Sequence, residues 1–93
     1  MDTAQAVDWF RKAAEQGDMS AAFNLGVMYA NGTGLLADPV EAYRWLAIVA
    51  ARASGAEQTR AANALQTVTG TLSPAQLDDA RKRTQSWMTQ HKP

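Results

Sequence analysis

NLGVMYANGTGLLADPVEAYRWL, residues 24–46, holds two helical patterns separated by a turn. Leu25, Gly26 and Tyr29 share one helical face, the Asn31-Gly32-Thr33-Gly34 run ends it, and a second pattern resumes through Ala42 and Trp45. Glycine and asparagine tolerate the positive φ that a helix C-terminus and a tight turn demand. Asp38-Pro39-Val40-Glu41 reads as a start signal, with Asp38 as N-cap, Pro39 at the first helical position and Glu41 as capping-box partner. Two helices joined in this way either frame a ligand pocket or form one unit of a stack.

Working outward, the apolar positions Ala6, Val7, Trp9, Phe10, Ala13 and Ala14 predict an amphipathic helix over residues 4–16. Gly17-Asp18 interrupts it, and a second helix follows from 19 to about 30. The third runs from 39 to about 53, Ser54-Gly55 breaks the pattern, and a fourth spans 56–68. Ser73-Pro74-Ala75-Gln76 repeats the start signal for a fifth helix, which carries Leu77, Ala80, Thr84, Trp87 and Met88 inward as far as about Thr89. Asp8 with Lys12, and Asp78 and Asp79 with Lys82 and Arg83, are spaced for pairing across one helical turn. Short connections leave no candidate linker, so residues 1–93 read as one all-α domain of about five helices.

Composition narrows the function. Alanine supplies much of the 46% apolar content, and residues that favour strands are sparse. Nine basic and nine acidic side chains cancel, so no overall field steers the protein to nucleic acid or an anionic membrane. Cysteine is absent, which excludes disulfides and thiolate chemistry. The N-terminal stretch has an early acid and no continuous apolar run, unlike a signal peptide or a membrane span. A cytoplasmic protein, or a periplasmic one with its leader removed, is the resulting expectation.

Shifting the sequence against itself by 36 positions superposes Ala6 on Ala42, Trp9 on Trp45, Phe10 on Leu46, Ala13 on Val49 and Ala14 on Ala50. A fixed period in this range signals stacked helix pairs. Three stretches, AVDWFRKAAEQGD (6–18), AAFNLGVMYANGTG (21–34) and DPVEAYRWLAIVA (38–50), resemble the Sel-like (Sel-one-like) repeats, relatives of the tetratricopeptide repeats. The tetratricopeptide pattern usually has tryptophan where Ala22 stands, and its period is 34. The resemblance implies an α-solenoid: residues 4–16 would be helix B of a preceding partial repeat, 19–53 a complete repeat, and 56–90 a degenerate C-terminal capping repeat. Independently, Gly26 costs a helix interior about 1 kcal/mol relative to alanine, which suggests that another helix passes close by. Ala22 and Ala30 would extend that close-approach stripe. Trp9 and Trp45 read as the bulk that fills the wider spaces between helix pairs.

Signs of catalytic chemistry are weak. His91 stands two residues from the C-terminal end of the sequence with no cysteine or carboxylate near it in sequence, so it reads as a frayed tail residue and no metal or cofactor is implied. Gly32-Thr33-Gly34 lacks the strand and lysine of a phosphate loop. Asp78 and Asp79 are adjacent in a helix and diverge, which disfavours paired acid/base work. Arg81-Lys82-Arg83 reads as a solvated face rather than a nucleic-acid surface. The fifth helix carries too much mixed charge to favour membrane anchoring. The expectation is a protein without enzymatic activity.

The resemblance implies a protein-interaction adaptor that holds a peptide or partner helix on its helix-A side. Ser20, Asn24, Val27 and Asn31 form one stripe there, with Phe23 beside them, and Arg60 and Asn63 extend it in the degenerate repeat. The alternative is a terminal cap of a longer solenoid that oligomerises through its first helix, where Val7, Trp9 and Phe10 lack a neighbour. Some relatives are linked to β-lactam compounds, but the cysteine-bridged helix pairs of that branch are absent, which leaves such hydrolysis the least favoured reading.

Overall fold

The computed structural model describes residues 3–33 and 37–92. Five helices follow in order: α1 (Thr3–Glu15), α2 (Met19–Asn31), α3 (Pro39–Arg52), α4 (Gly55–Thr69) and α5 (Pro74–Gln90), and no described residue lies in a strand. This is the all-α repeat architecture read from the sequence. Gly34, part of the expected turn, lies outside the described residues.

Local chemistry sets the helix ends. Asp18 caps α2, its Oδ1 accepting from the Ala21 N–H at 3.0 Å. Gly32 closes the same helix at φ 72°, a left-handed backbone that a side chain would strain, and its N–H donates to the Met28 carbonyl at 2.8 Å. Asp38 caps α3 as expected, accepting from the Val40 and Glu41 N–H groups at 3.1 and 3.2 Å. Glu41 does not complete the box, however. The Asp38 N–H donates instead to the Tyr29 carbonyl at 2.9 Å, which leaves the Glu41 carboxylate for arginines. Ser73 and Gln76 form the full reciprocal box at the start of α5.

α2 packs against α1 on one side and α3 on the other, α4 packs on α3 and the edge of α2, and α5 lies along α3 with little direct contact to α4. The fully buried side chains are led by Trp45, Leu25, Leu46, Ile48 and Val49. The close approach expected at Gly26 is present: a Cβ there would stand 2.9 Å from Leu46 Cγ and 3.4 Å from the Leu46 backbone nitrogen. Ala22 is buried beside it, but Ala30 is exposed, so the small-residue stripe ends one turn earlier than expected.

The two repeat-related tryptophans part company. Trp45 is buried and meets Trp87 of α5 edge to face at 5.9 Å, whereas Trp9 is 55% exposed and touches its neighbour Phe10 at 5.4 Å. Trp9 therefore does not fill a space between helix pairs. Val7, expected on the open side, is buried with Ala14 instead, because α1 turns these two toward the core. Replacing Gly26 with leucine should lower stability by about 1–3 kcal/mol through overpacking. Chemical denaturation of Gly26→Leu and of Gly26→Leu/Leu46→Ala would check this; a double variant no more stable than the single one would show that Leu46 is not the obstacle.

Candidate partner-binding surface

α2 and α4 run in the same direction on one side of α3, since each is antiparallel to it across a short connection. The buried side of α2 is Ala21, Ala22, Leu25 and Gly26. Ser20, Asn24 and Asn31 are exposed and Val27 is half-buried. Phe23 differs from them: it packs against both hydrophobic clusters, so much of its ring serves the core. On α4, Arg60 and Asn63 are exposed on either side of the buried Ala61.

Ser20 links the two helices, its hydroxyl donating to the Glu57 carboxylate at 3.1 Å. Glu57 was not singled out in the sequence; it offers no local signal there beyond an acid in the first turn of α4. Among the described residues, the side-chain amides of Asn24, Asn31 and Asn63 have no hydrogen-bond partner, and the Arg60 guanidinium has no carboxylate at ion-pair distance. α2 itself contains no charged residue. The surface thus presents amide groups able to donate and accept, a short apolar step at Val27, and one free cation at its α4 edge.

A different chemistry occupies the other side. An open cleft of about 440 Å³ lies where the end of α1 meets α3 and α5. Glu41 is its hub: it accepts from Arg44 at 2.8 and 3.0 Å and from Arg83 at 3.3 Å, while Arg83 also holds Asp79 at 2.9 Å. The Asp79 hydrogen bond pushes the Arg83 pKa up; burial opposes it, and the Glu41 hydrogen bond adds a further upward push. Arg11 is likewise held charged, chiefly through its hydrogen bond to the Tyr29 hydroxyl at 3.0 Å. The expected helical pairs form, Asp8 with Lys12 at 3.8 Å and Asp78 with Lys82 at 3.0 Å, all well exposed.

His91 is not a frayed tail. Its ring stacks on Trp87 at 4.1 Å with 7° between planes, Nδ1 is 2.9 Å from the Trp87 carbonyl, and Nε2 is 3.9 Å from Glu15. The carboxylate missing from its sequence neighbourhood is brought from α1, where Glu15 also accepts from the Trp87 indole at 3.3 Å. With one ring nitrogen on a carbonyl and the other facing a carboxylate, His91 does not address the Ser86 hydroxyl in the same cleft. No group of three potential metal ligands occurs among the described residues, and no described helix is long and apolar enough to cross a membrane.

The sequence signature of the Sel1 repeat matches residues 2–18 and 20–53. The chain belongs to the Sel1 repeat family. Among solved structures, it is similar to a protective antigen present in uropathogenic Escherichia coli strains that displays an SLR fold, with a TM-score of 0.83 and 29% identity over 95% of this chain. It spans 18% of the length of that protein. No curated protein matches the sequence. The second signature match ends one residue after α3, and α4 and α5 lie outside both matches.

Glu41 should matter more to stability than any exposed pair. Glu41→Ala leaves Arg44 and Arg83 short of their shared acceptor and should lower stability by about 1–2 kcal/mol, whereas Asp8→Ala should stay within about 0.5 kcal/mol of wild type. Urea titrations of the two variants would decide, and equal losses would contradict the hub.

Proposed function

We propose that this Sel1 repeat chain is a protein-interaction scaffold without catalytic activity, holding an extended peptide or a partner helix across α2 and α4. Sel1 repeats generally form such scaffolds. In this reading α1 is helix B of a partial repeat, residues 19–53 form the complete repeat, and 56–90 are a degenerate cap that lends its helix A to the groove.

The observation that carries the reading is the set of exposed amides without a protein partner on the helix-A side. Asn24, Asn31 and Asn63 stand exposed on the helix-A side without a protein hydrogen-bond partner among the described residues, so their donors and acceptors can exchange water for a bound chain. An asparagine amide can match the N–H and C=O of an extended backbone and so hold a peptide with little regard to its side chains. Val27 offers an apolar contact between them, and Arg60 favours an acidic residue in the partner at the α4 edge. Ser20 acts at one remove, by holding Glu57 and with it the position of α4. Phe23 supports the groove from beneath.

Catalysis is disfavoured because the acids of the opposite cleft are engaged by arginine and tryptophan, which leaves no free base beside a nucleophile. The reading is tested by affinity capture with wild type and with Asn24→Arg/Asn31→Arg. Both positions are exposed, so circular dichroism should be unchanged while captured partners are lost. An identical set of partners on the double variant would sink the groove.

A further inference from the structure

A second, smaller pocket opens where the α1–α2 turn faces the last turn of α3. It holds about 430 Å³ and is lined by Gly17, Met19, Ala51 and Arg52, so Arg52 is the one charged residue in its lining. Gly17 sits at φ 95°, and a Cβ there would meet nothing within 4 Å, which leaves the turn side of the pocket open. Met19 and Ala51 supply apolar walls, the first half-buried and the second exposed. Two contacts fix the arginine head: Nη2 donates to the Met88 carbonyl at 3.3 Å, and Cζ lies over the Trp87 ring, 5.1 Å from its centroid.

This guanidinium is held but not neutralised. Arg44, which is half-buried too, meets Glu41 at 2.8 Å and Glu15 at 4.0 Å, whereas Arg52 has no carboxylate at ion-pair distance among the described residues. Arg60 and Arg81 also lack one, but both are exposed to water. A guanidinium carries five N–H donors, and the Met88 carbonyl engages one of them. An aromatic ring beneath the planar head leaves its N–H edge open to a carboxylate, the group whose two oxygens match that fork. The field at the end of α3 accounts for a basic residue in its last turn. It does not account for an anchored, acid-free head beside an apolar hollow.

We propose that this pocket binds the C-terminal residue of a partner polypeptide, its α-carboxylate on the Arg52 fork and its apolar side chain against Met19 and Ala51. In a chain terminus the charge and the side chain leave the same carbon, which suits a cation standing directly beside apolar walls. An internal aspartate or glutamate carries its charge at the tip of the side chain and brings no apolar group with it. The flexible thioether of Met19 adapts to side chains of different shape, so the site selects a terminal carboxylate with apolar bulk rather than one residue type. None of the α2–α4 groove residues lines this pocket, so the two readings stand or fall separately.

The test uses the whole protein, isotope-labelled for heteronuclear NMR, and an acetylated Gly-Ser-Gly-Ser-Leu peptide with a free C-terminal carboxylate. Saturable shifts are expected at the Gly17, Met19 and Ala51 amides and at the Arg52 side chain. The same peptide ending in an amide should bind about tenfold more weakly or worse, because it lacks the charge that the fork receives. Hexanoate, an apolar carboxylate without a peptide chain, should also bind more weakly than the free-acid peptide. Arg52→Gln should lose binding to a similar extent. Since that change also removes the contact with Trp87, Ala51→Glu serves as a second variant: it alters an exposed position, leaves Arg52 anchored and sets a rival carboxylate in the pocket. Its helical spectrum should be unchanged and its binding about tenfold weaker. Equal binding of acid and amide, shifts confined to other parts of the molecule, full binding by Ala51→Glu, or hexanoate binding as tightly as the peptide would each overturn the proposal.

Discussion

The fold turns on how closely α3 can approach α2. At Gly26 the two helices meet where a single Cβ would stand 2.9 Å from Leu46 Cγ. That approach lets Leu46 and Ala42 reach complete burial on one side and sets Trp45 where Trp87 can cover it on the other. Glycine weakens the helix that carries it, and the loss is offset by tighter packing. Nothing comparable joins α4 to α5. Both rest on α3 instead, so the central helix, not a second close pair, unites the C-terminal half.

This dependence explains which parts were legible in the sequence. Helix positions were, because caps and glycines act locally: Asp18, Gly32, Asp38 and Ser73 each do at their own helix end what their residue type allows. The Gly26 approach was legible too, since an unfavourable residue in a helix interior calls for a compensating contact. Trp9 misled because the repeat predicts environment by equivalence, and equivalence fails where a helix lacks the neighbour its counterpart has. Glu41 misled for another reason. The Tyr29 carbonyl claimed the Asp38 N–H, and only the folded chain brings Arg83 to the acid thus released. His91 belongs with Glu41, as its partner Glu15 lies at the far end of the sequence.

The candidate surface was less legible than the fold. Periodicity could say that Ser20, Asn24, Val27 and Asn31 share a stripe apart from Leu25. It could not say which of them would be used internally. Ser20 bonds Glu57 and Phe23 enters the core, while the three amides and Arg60 stay uncommitted. The two sides of the molecule divide accordingly: α2 and α4 leave polar groups free, whereas the cleft among α1, α3 and α5 consumes its charges internally.

The contact between Glu15 and the Trp87 indole joins residues 72 positions apart. The best-packed helix pairs, by contrast, are neighbours in the chain. Loop-closure entropy rises with the length of chain enclosed, so the formation of α1–α2, α2–α3 and α3–α4 costs comparatively little, and α5 bears the one distant closure. Folding can thus proceed by successive local pairings and finish with α5 settling along α3, where Trp87, Glu15 and His91 fasten the two ends together. Without those contacts the helices would form a row in which each meets only near neighbours; with them, α5 is tied back to the end of α1 as well as to α3.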